Sequence, residues 1–244
     1  IIDSPRERLV AILTNSLVPC NGRFPLLLTM ISLFLIGNTG GAPGFSSVLT
    51  ALALTGFILA GVFMTLFASW LLSCTVLKGV PSSFTLELPP YRRPQIGKVI
   101  VRSVLDRTLF VLGRAVAVAA PAGLFIWILA NVPAGDGTLL SVLSGFLDPL
   151  GTLMGLDGII LMAFILGFPA NEIVLPIILM AYLQTGALTD MADQNALLAL
   201  LTAHGWTMKT AICMAVFSLF HWPCSTTCLT IRKETGSMKW TALA

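Results

Sequence analysis

Of the chain's 244 residues, 56% are hydrophobic and only 10% are charged, with a net charge of +3 and a mean hydropathy of +0.92. A soluble domain carries about 25% charged residues because its surface faces water, so this composition excludes a water-soluble particle and makes lipid the solvent for much of the surface. Five cysteines, odd in number and without a close-set framework, exclude a secreted disulfide scaffold, and the first residues do not read as a signal peptide. The sequence opens at Ile1-Ile2-Asp3 and closes at Trp240-Thr241-Ala242 in mid-pattern, so further domains are expected on both sides.

Residues 9–36 form the first apolar segment, interrupted by Pro19-Cys20-Asn21-Gly22-Arg23-Phe24-Pro25. Proline lacks an N–H donor and glycine is a poor helix former, so this helix is predicted to break. After a polar loop at 37–44, residues 45–77 are apolar throughout and exceed the roughly 20 residues a bilayer needs; tilt, or a bend near Gly56 and Gly61, is expected. Residues 78–107 carry Lys78, Arg92, Arg93, Lys98, Arg102 and Arg107 against Glu87 and Asp106, which marks the cytoplasmic side. Within this stretch, 86–94 is proline-rich and extended, and 96–109 is predicted as an amphipathic helix on the membrane surface. Residues 109–132 form the next span.

Residues 136–157 hold three aspartates and no Lys or Arg, which places them outside, with 139–156 expected to be interfacial. Residues 159–183 are apolar but broken at Gly167-Phe168-Pro169-Ala170-Asn171-Glu172, and 206–231 are broken at His221-Trp222-Pro223-Cys224. Arg232, Lys233 and Lys239 then return the chain to the cytoplasmic side, where Arg6 and Arg8 also lie. These sides are compatible when 159–183 forms a re-entrant hairpin with its tip at Pro169–Glu172. Pro19-x-Asn21 followed by Pro25 parallels Pro169-x-Asn171 followed by Pro176. Interrupted apolar segments at corresponding places in two halves point to a transporter's binding site.

A helix broken in hydrocarbon exposes backbone N–H and C=O groups, each costing several kcal/mol if unpaired. Such breaks persist where protein, water or a bound ion satisfies those groups. All three breaks carry metal-competent side chains: Cys20 and Asn21; Asn171 and Glu172; His221, Cys224 and Ser225. Thiolate, imidazole, carboxylate and amide oxygen together suit a borderline divalent ion such as Fe(II), Zn(II) or Mn(II).

An acid amid apolar residues is a functional candidate, although Glu172 would equally cap the half-helix starting at Ile173. A lone buried thiol is commonly inert, and Cys74 and Cys213, in uninterrupted apolar runs, read that way. Cys20 and Cys224 differ because each follows a proline in a break. His221 reads first as a partner of a backbone carbonyl. Arg23 needs a partner or water at this depth, and Glu172 is a candidate. The Gly151-x-x-x-Gly155 pattern is too common to weigh. The sequence holds no Walker lysine motif, dinucleotide-binding glycine fingerprint, nucleophile elbow or Cys-x-x-Cys, so nothing in it points to an enzyme.

The same breaks carry a family resemblance. Pro-Arg-Glu-Arg-Leu at 5–9, Val-Pro-Cys-Asn-Gly-Arg-Phe-Pro at 18–25 and Leu-Glu-Leu-Pro-Pro-Tyr-Arg-Arg-Pro at 86–94 resemble the membrane domain of FeoB-type ferrous iron transporters. So do Gly-Phe-Pro-Ala-Asn-Glu-Ile-Val at 167–174, His-Trp-Pro-Cys-Ser-Thr-Thr at 221–227 and Thr-Ile-Arg-Lys-Glu-Thr-Gly-Ser at 230–237. The resemblance implies an all-α, polytopic membrane bundle with discontinuous, re-entrant helices in two Gate-like halves: a first module at 1–78, a basic loop with an amphipathic helix at 79–108, and a second module at 109–244. It implies inward movement of Fe(II) across a bacterial inner membrane, with GTP acting through a cytoplasmic GTPase domain outside this chain, and small Feo-type accessory proteins and a homo-oligomer as partners. By position, the family's Gate cysteines correspond to Cys20 and Cys224 and its acid to Glu172. With the other break residues, the expected metal path is Cys20, Asn21, Asn171, Glu172, His221 and Cys224. Many relatives read Ser-Cys-Ser-Ala-Arg where this chain reads Pro-Cys-Asn-Gly-Arg, and Ala-Lys-Glu where it reads Ala-Asn-Glu. The alternatives are a Gate-type carrier of nucleosides or other small solutes, and a non-transporting membrane assembly subunit.

Overall fold

The computed structural model describes residues 4–36, 43–75, 77–79, 95–135, 137–191 and 193–244. The loop at 37–42 and the proline-rich stretch at 86–94 lie outside these residues, as does Asp136. Helix α1 (Pro5–Thr14) starts on Ser4, whose hydroxyl accepts from the Glu7 amide, with proline in the first turn; both are ordinary N-terminal signals. A 3₁₀ turn (Asn15–Leu17) leads to the first break. The chain then resumes through a 3₁₀ turn at Asn21–Arg23, α2 (Phe24–Met30) and a π-helical stretch to Ile36.

Helix α3 (Pro43–Cys74) is uninterrupted. Gly56 meets nothing within 4 Å, whereas a Cβ at Gly61 would sit 2.9 Å from Pro19 Cδ and 3.0 Å from the Leu17 carbonyl oxygen. Gly61 therefore serves close packing of the first break on α3. Helix α4 (Ile96–Arg102) runs through a π-helical stretch (Ser103–Leu109) into α5 (Phe110–Asn131). No glycine or proline lies between Lys98 and Leu112 to interrupt the ladder, so the helix expected on the surface is continuous with the span that follows it. A two-residue ribbon pairs β1 (Pro133–Ala134) with β2 (Gly137–Thr138).

Helix α6 (Leu139–Leu153) buries Leu140, Ser144 and Gly151 and exposes Phe146 and Leu153. The chain then turns by 109° into α7 (Gly158–Leu166). Gly155 takes φ +74° in this turn, so the Gly-x-x-x-Gly pair is split between a helix and a left-handed turn instead of lining one helix face. Asp157 caps α7 by accepting from the Ile160 amide. After the second break and a 3₁₀ turn (Asn171–Ile173), α8 (Val174–Leu183) returns. The Tyr182 hydroxyl at the end of α8 donates to Asp157 at the start of α7, and the Trp206 indole donates to Tyr182 at 2.7 Å. The two arms therefore form a hairpin whose tip is the second break. His204, on which the sequence offered no reading, stacks on Tyr182 with ring centroids 4.1 Å apart. Helices α9 (Gln194–Ala203), α10 (Met208–Phe220), α11 (Ser225–Thr235) and α12 (Met238–Leu243) complete the chain.

Among the described residues, four helical stretches are long and apolar enough to cross a membrane: Pro5–Phe34, Phe45–Cys74, Val111–Asn131 and Met208–Thr235. Counting the bent α6–α7 pair as one span gives five. The core centres on the hairpin, where Phe164, Ile177, Ile178, Leu179 and Met180 pack with Met30 of α2, Leu201 of α9 and Met214 of α10. Lipid tails are as apolar as leucine, so this core is held by van der Waals packing and internal polar bonds more than by escape from water.

Candidate functional site

The first two breaks share one local design. Cys20 is extended (φ −82°, ψ 167°) and precedes the 3₁₀ turn Asn21–Arg23; Ala170 is extended (φ −152°, ψ 120°) and precedes the 3₁₀ turn Asn171–Ile173. In each, a proline stands two residues before the asparagine that opens the turn. The third break differs: α10 ends at Phe220, and Cys224, also extended, is the N-cap residue of α11.

These breaks meet, and side chains of one reach the backbone or side chains of another. Arg23 of the first break is buried. Its Nη1 donates to the carbonyls of Leu219 at 2.9 Å and Ser16 at 3.1 Å. Its Nη2 donates to the carbonyls of His221 at 3.2 Å and Trp222 at 3.5 Å. A guanidinium here caps the negative end of α10 and occupies the carbonyls that the third break exposes. The third break serves the second: the Ser225 amide donates to the Phe168 carbonyl at 2.9 Å and its hydroxyl donates to the Pro169 carbonyl at 3.3 Å. The second serves the first through Asn171, whose Nδ2 lies 3.9 Å from Cys20 Sγ. The expected partnership of Arg23 with Glu172 is replaced by these carbonyl bonds, and side chains do much of the compensation that was expected of a bound ion.

Asn171 is the hub. Its Oδ1 lies 3.4 Å from His221 Nε2, while His221 Nδ1 is 2.9 Å from the Ser218 carbonyl oxygen. A neutral imidazole donating Nδ1–H to Ser218 leaves Nε2 as an acceptor, which requires the amide NH₂ of Asn171 to face it. That orientation turns Oδ1 toward Cys20 and the space beside it. The expected carbonyl partner of His221 is thus present, as Ser218.

Beside Asn171 lies a cavity of about 60 Å³, lined among others by Ser16, Cys20, Arg23, Asn171, Cys224 and Thr227. It brings together three of the six expected path residues: Cys20, Asn171 and Cys224. Cys224 Sγ lies 3.1 Å from Thr226 Oγ1 and 3.2 Å from Thr227 Oγ1. His221 stands behind Asn171 without lining the cavity. Glu172 and Asn21 are exposed, on the outer edge of the cluster, where a Cβ at Gly22 would sit 3.3 Å from Glu172 Cγ. Among the described residues, no three His, Cys, Asp or Glu side chains stand close enough to hold a metal ion together. Arg23 was singled out in the sequence for its cost, but its capping role was not legible, because three of its four carbonyl partners lie about two hundred residues away. Thr226 and Thr227, which follow in the same break, both meet the sulfur of Cys224.

A family model described as nucleoside recognition, Gate, matches residues 112–238, more than half of the chain, and this stretch includes the second and third breaks. The chain belongs to the Gate family. A second family model, the C terminus of ferrous iron transport protein B, matches residues 54–106. The chain is 27% identical, over its whole length, to the Fe(2+) transporter FeoB of Staphylococcus aureus (strain COL). It is 26% identical over 98% of its length to that of Leptospira interrogans serovar copenhageni, and 26% identical over its whole length to that of Methanocaldococcus jannaschii. It spans about a third of each of these curated relatives: 34%, 36% and 35% of their lengths. No solved structure matches it.

Proposed function

We propose that this Gate domain is the membrane core of a ferrous iron permease and that Fe(II) passes through the cavity between the three breaks. The observation that carries this reading is the convergence of Cys20, Asn171 and Cys224, from three separate helix interruptions, on one small space. Thiolate sulfur and amide oxygen suit a borderline divalent ion. Two thiolates offset the charge of Fe(II), while the guanidinium of the neighbouring Arg23 is directed onto backbone carbonyls. Glu172, at the outer edge, and His221, behind Asn171, supply further ligands as the ion moves. A path that binds in partial steps suits transport, because an ion must be held well enough to come in and weakly enough to leave. The curated relatives named above are Fe(2+) transporters, which supports the same cargo.

In this reading the protein sits in a bacterial inner membrane, works with a GTPase domain of the same polypeptide, and assembles with small accessory proteins and with copies of itself. A nucleoside cargo fits less well. Organic ligands occupy pockets of about 300–1,000 Å³, several times the space here.

The test is Fe(II) uptake by cells producing the full-length polypeptide with Cys20→Ser, Glu172→Gln or Cys224→Ser at equal membrane levels. Each is expected to reduce uptake several-fold, and anaerobic Fe(II) binding by purified protein is expected to weaken with Glu172→Gln. Uptake equal to the parent in all three variants overturns the reading.

A further inference from the structure

The cavity beside Cys20 and Cys224 is not closed off from the basic end of the molecule. A second, larger groove of about 300 Å³ runs between α1 and α11, lined by residues including Arg8, Ala11, Asn15, Thr227, Thr230 and Glu234. The two spaces share Asn15 and Thr227 in their walls. Thr227 is the joint: its hydroxyl touches Cys224 Sγ at 3.2 Å on one side, and the residue faces the groove on the other. Polar groups continue outward along α11 at Thr230 and Glu234, one helical turn apart. At the far end Arg8 of α1 donates to Glu234 of α11, an ion pair between half-exposed side chains. These helix ends carry the Arg6, Arg8, Arg232 and Lys233 that mark the cytoplasmic side.

Toward the acidic loops an aromatic layer stands behind the Asn171 wall of the cavity. Phe164 and Phe217 pack edge to face with centroids 4.8 Å apart, and Phe164 lies 5.0 Å from the His221 ring. Each phenylalanine sits in the last turn of its helix, α7 or α10, both of which approach the breaks from the acidic-loop side. The hydrogen bond between Asn171 and His221 ties this aromatic layer to the cavity wall.

The geometry points to an inward-facing state, in which the α1–α11 groove is the exit from the cysteine cavity to the cytoplasm and the Arg8–Glu234 pair is its gate. This rests on the permease reading for its cargo. An exposed ion pair contributes only about 0–1 kcal/mol, so it opens readily, and a departing cation competes directly for the Glu234 carboxylate. Between apolar walls that include Ala11, Ile12 and Ile231, the groove thus offers Fe(II) an amide, two hydroxyls and an acid in sequence, on a route wide enough for water to rejoin the ion.

The test separates binding from passage in the full-length polypeptide. Ala11→Trp and Thr230→Trp fill the groove from its two walls at exposed positions, far from the core. Both are expected to lower Fe(II) uptake at least ~10-fold while anaerobic Fe(II) binding stays within about twofold of the parent; Leu59→Trp, on the exposed face of α3, is the control with parental uptake. Parental uptake in both groove variants with binding retained overturns the exit. The route is also read without iron. A membrane-impermeant charged thiol reagent applied to the basic side of vesicles should modify Ala11→Cys much faster than Leu59→Cys, measured at each position by mass spectrometry. Addition of Glu234→Gln should raise the rate at position 11 several-fold. Slow labelling at position 11 overturns the groove as a water-filled path, and an unchanged rate with Glu234→Gln overturns the gate. If the parent moves no Fe(II), the permease reading fails, and the labelling alone decides whether the route exists.

Discussion

The unbroken helices and the broken ones are built from similar apolar residues but live in different surroundings. In the spans Phe45–Cys74 and Val111–Asn131, only 6% of the most apolar window is buried, against 44% in Pro5–Phe34 and 39% in Met208–Thr235. Phe63, Leu66 and Trp70 of α3 and Leu124 and Trp127 of α5 stand exposed, while Leu27, Met30, Met214 and Leu219 of the broken elements are buried. An intact helix satisfies its own backbone and can face hydrocarbon anywhere along its length. A broken one cannot, so it must lie where other side chains reach its free carbonyls and amides. The breaks are therefore confined to the interior, where Arg23 reaches the carbonyls of the third and Ser225 those of the second, while Asn171 meets the Cys20 side chain of the first.

The largest test of this contrast is Arg23→Met. It leaves four carbonyls without their donor, two of them buried, and a loss of about 3 kcal/mol is expected, since an unsatisfied buried acceptor costs about 1–3 kcal/mol. Unfolding of purified protein in detergent measures it. Arg8→Gln, at the exposed end, is expected to change stability by less than about 1 kcal/mol. Equal losses in the two variants would break the comparison.

Gly61→Leu should cost about 1–3 kcal/mol, because its side chain would be forced into Pro19 and the Leu17 carbonyl. Gly56→Leu on the same helix meets open space and should be neutral or slightly stabilising. The pair isolates the seating of the first break on α3 from helix propensity, and thermal midpoints of the two variants decide it.

Cys20→Ser and Cys224→Ser should leave stability within about 1 kcal/mol, since serine keeps a small polar side chain at each place, yet lose most Fe(II) uptake. Cys74→Ser, at the exposed end of α3, should affect neither. A stability loss in the first two that tracks the uptake loss would reduce the cysteines to packing. The smallest effects belong to the lipid face: Leu59→Ala or Phe63→Leu should change stability by less than about 0.5 kcal/mol, as exposed substitutions do.

Asn171 sharpens the contrast further, because it departs from the lysine that many relatives carry. A lysine ammonium donates but cannot accept, so it could not present an acceptor oxygen toward Cys20 and the cavity as this amide does. One of the departures from the family pattern thus lies where the breaks meet.

The membrane class, the positions of all three interruptions, the hairpin and the basic and acidic ends were legible in the sequence, because each follows from local chemistry: hydropathy, proline, glycine and the placement of charge. The polar side chains in the breaks also announced that something compensates them. Which groups compensate which was decided only by tertiary packing, since Arg23 finds Leu219 and His221, and Asn171 finds Cys20, across separations that no period or motif encodes. Packing likewise decided that Cys20, Asn171 and Cys224 share a cavity while Asn21 and Glu172 stay on its outer edge. A sequence specifies what each segment needs; the assembled helices determine which neighbour supplies it.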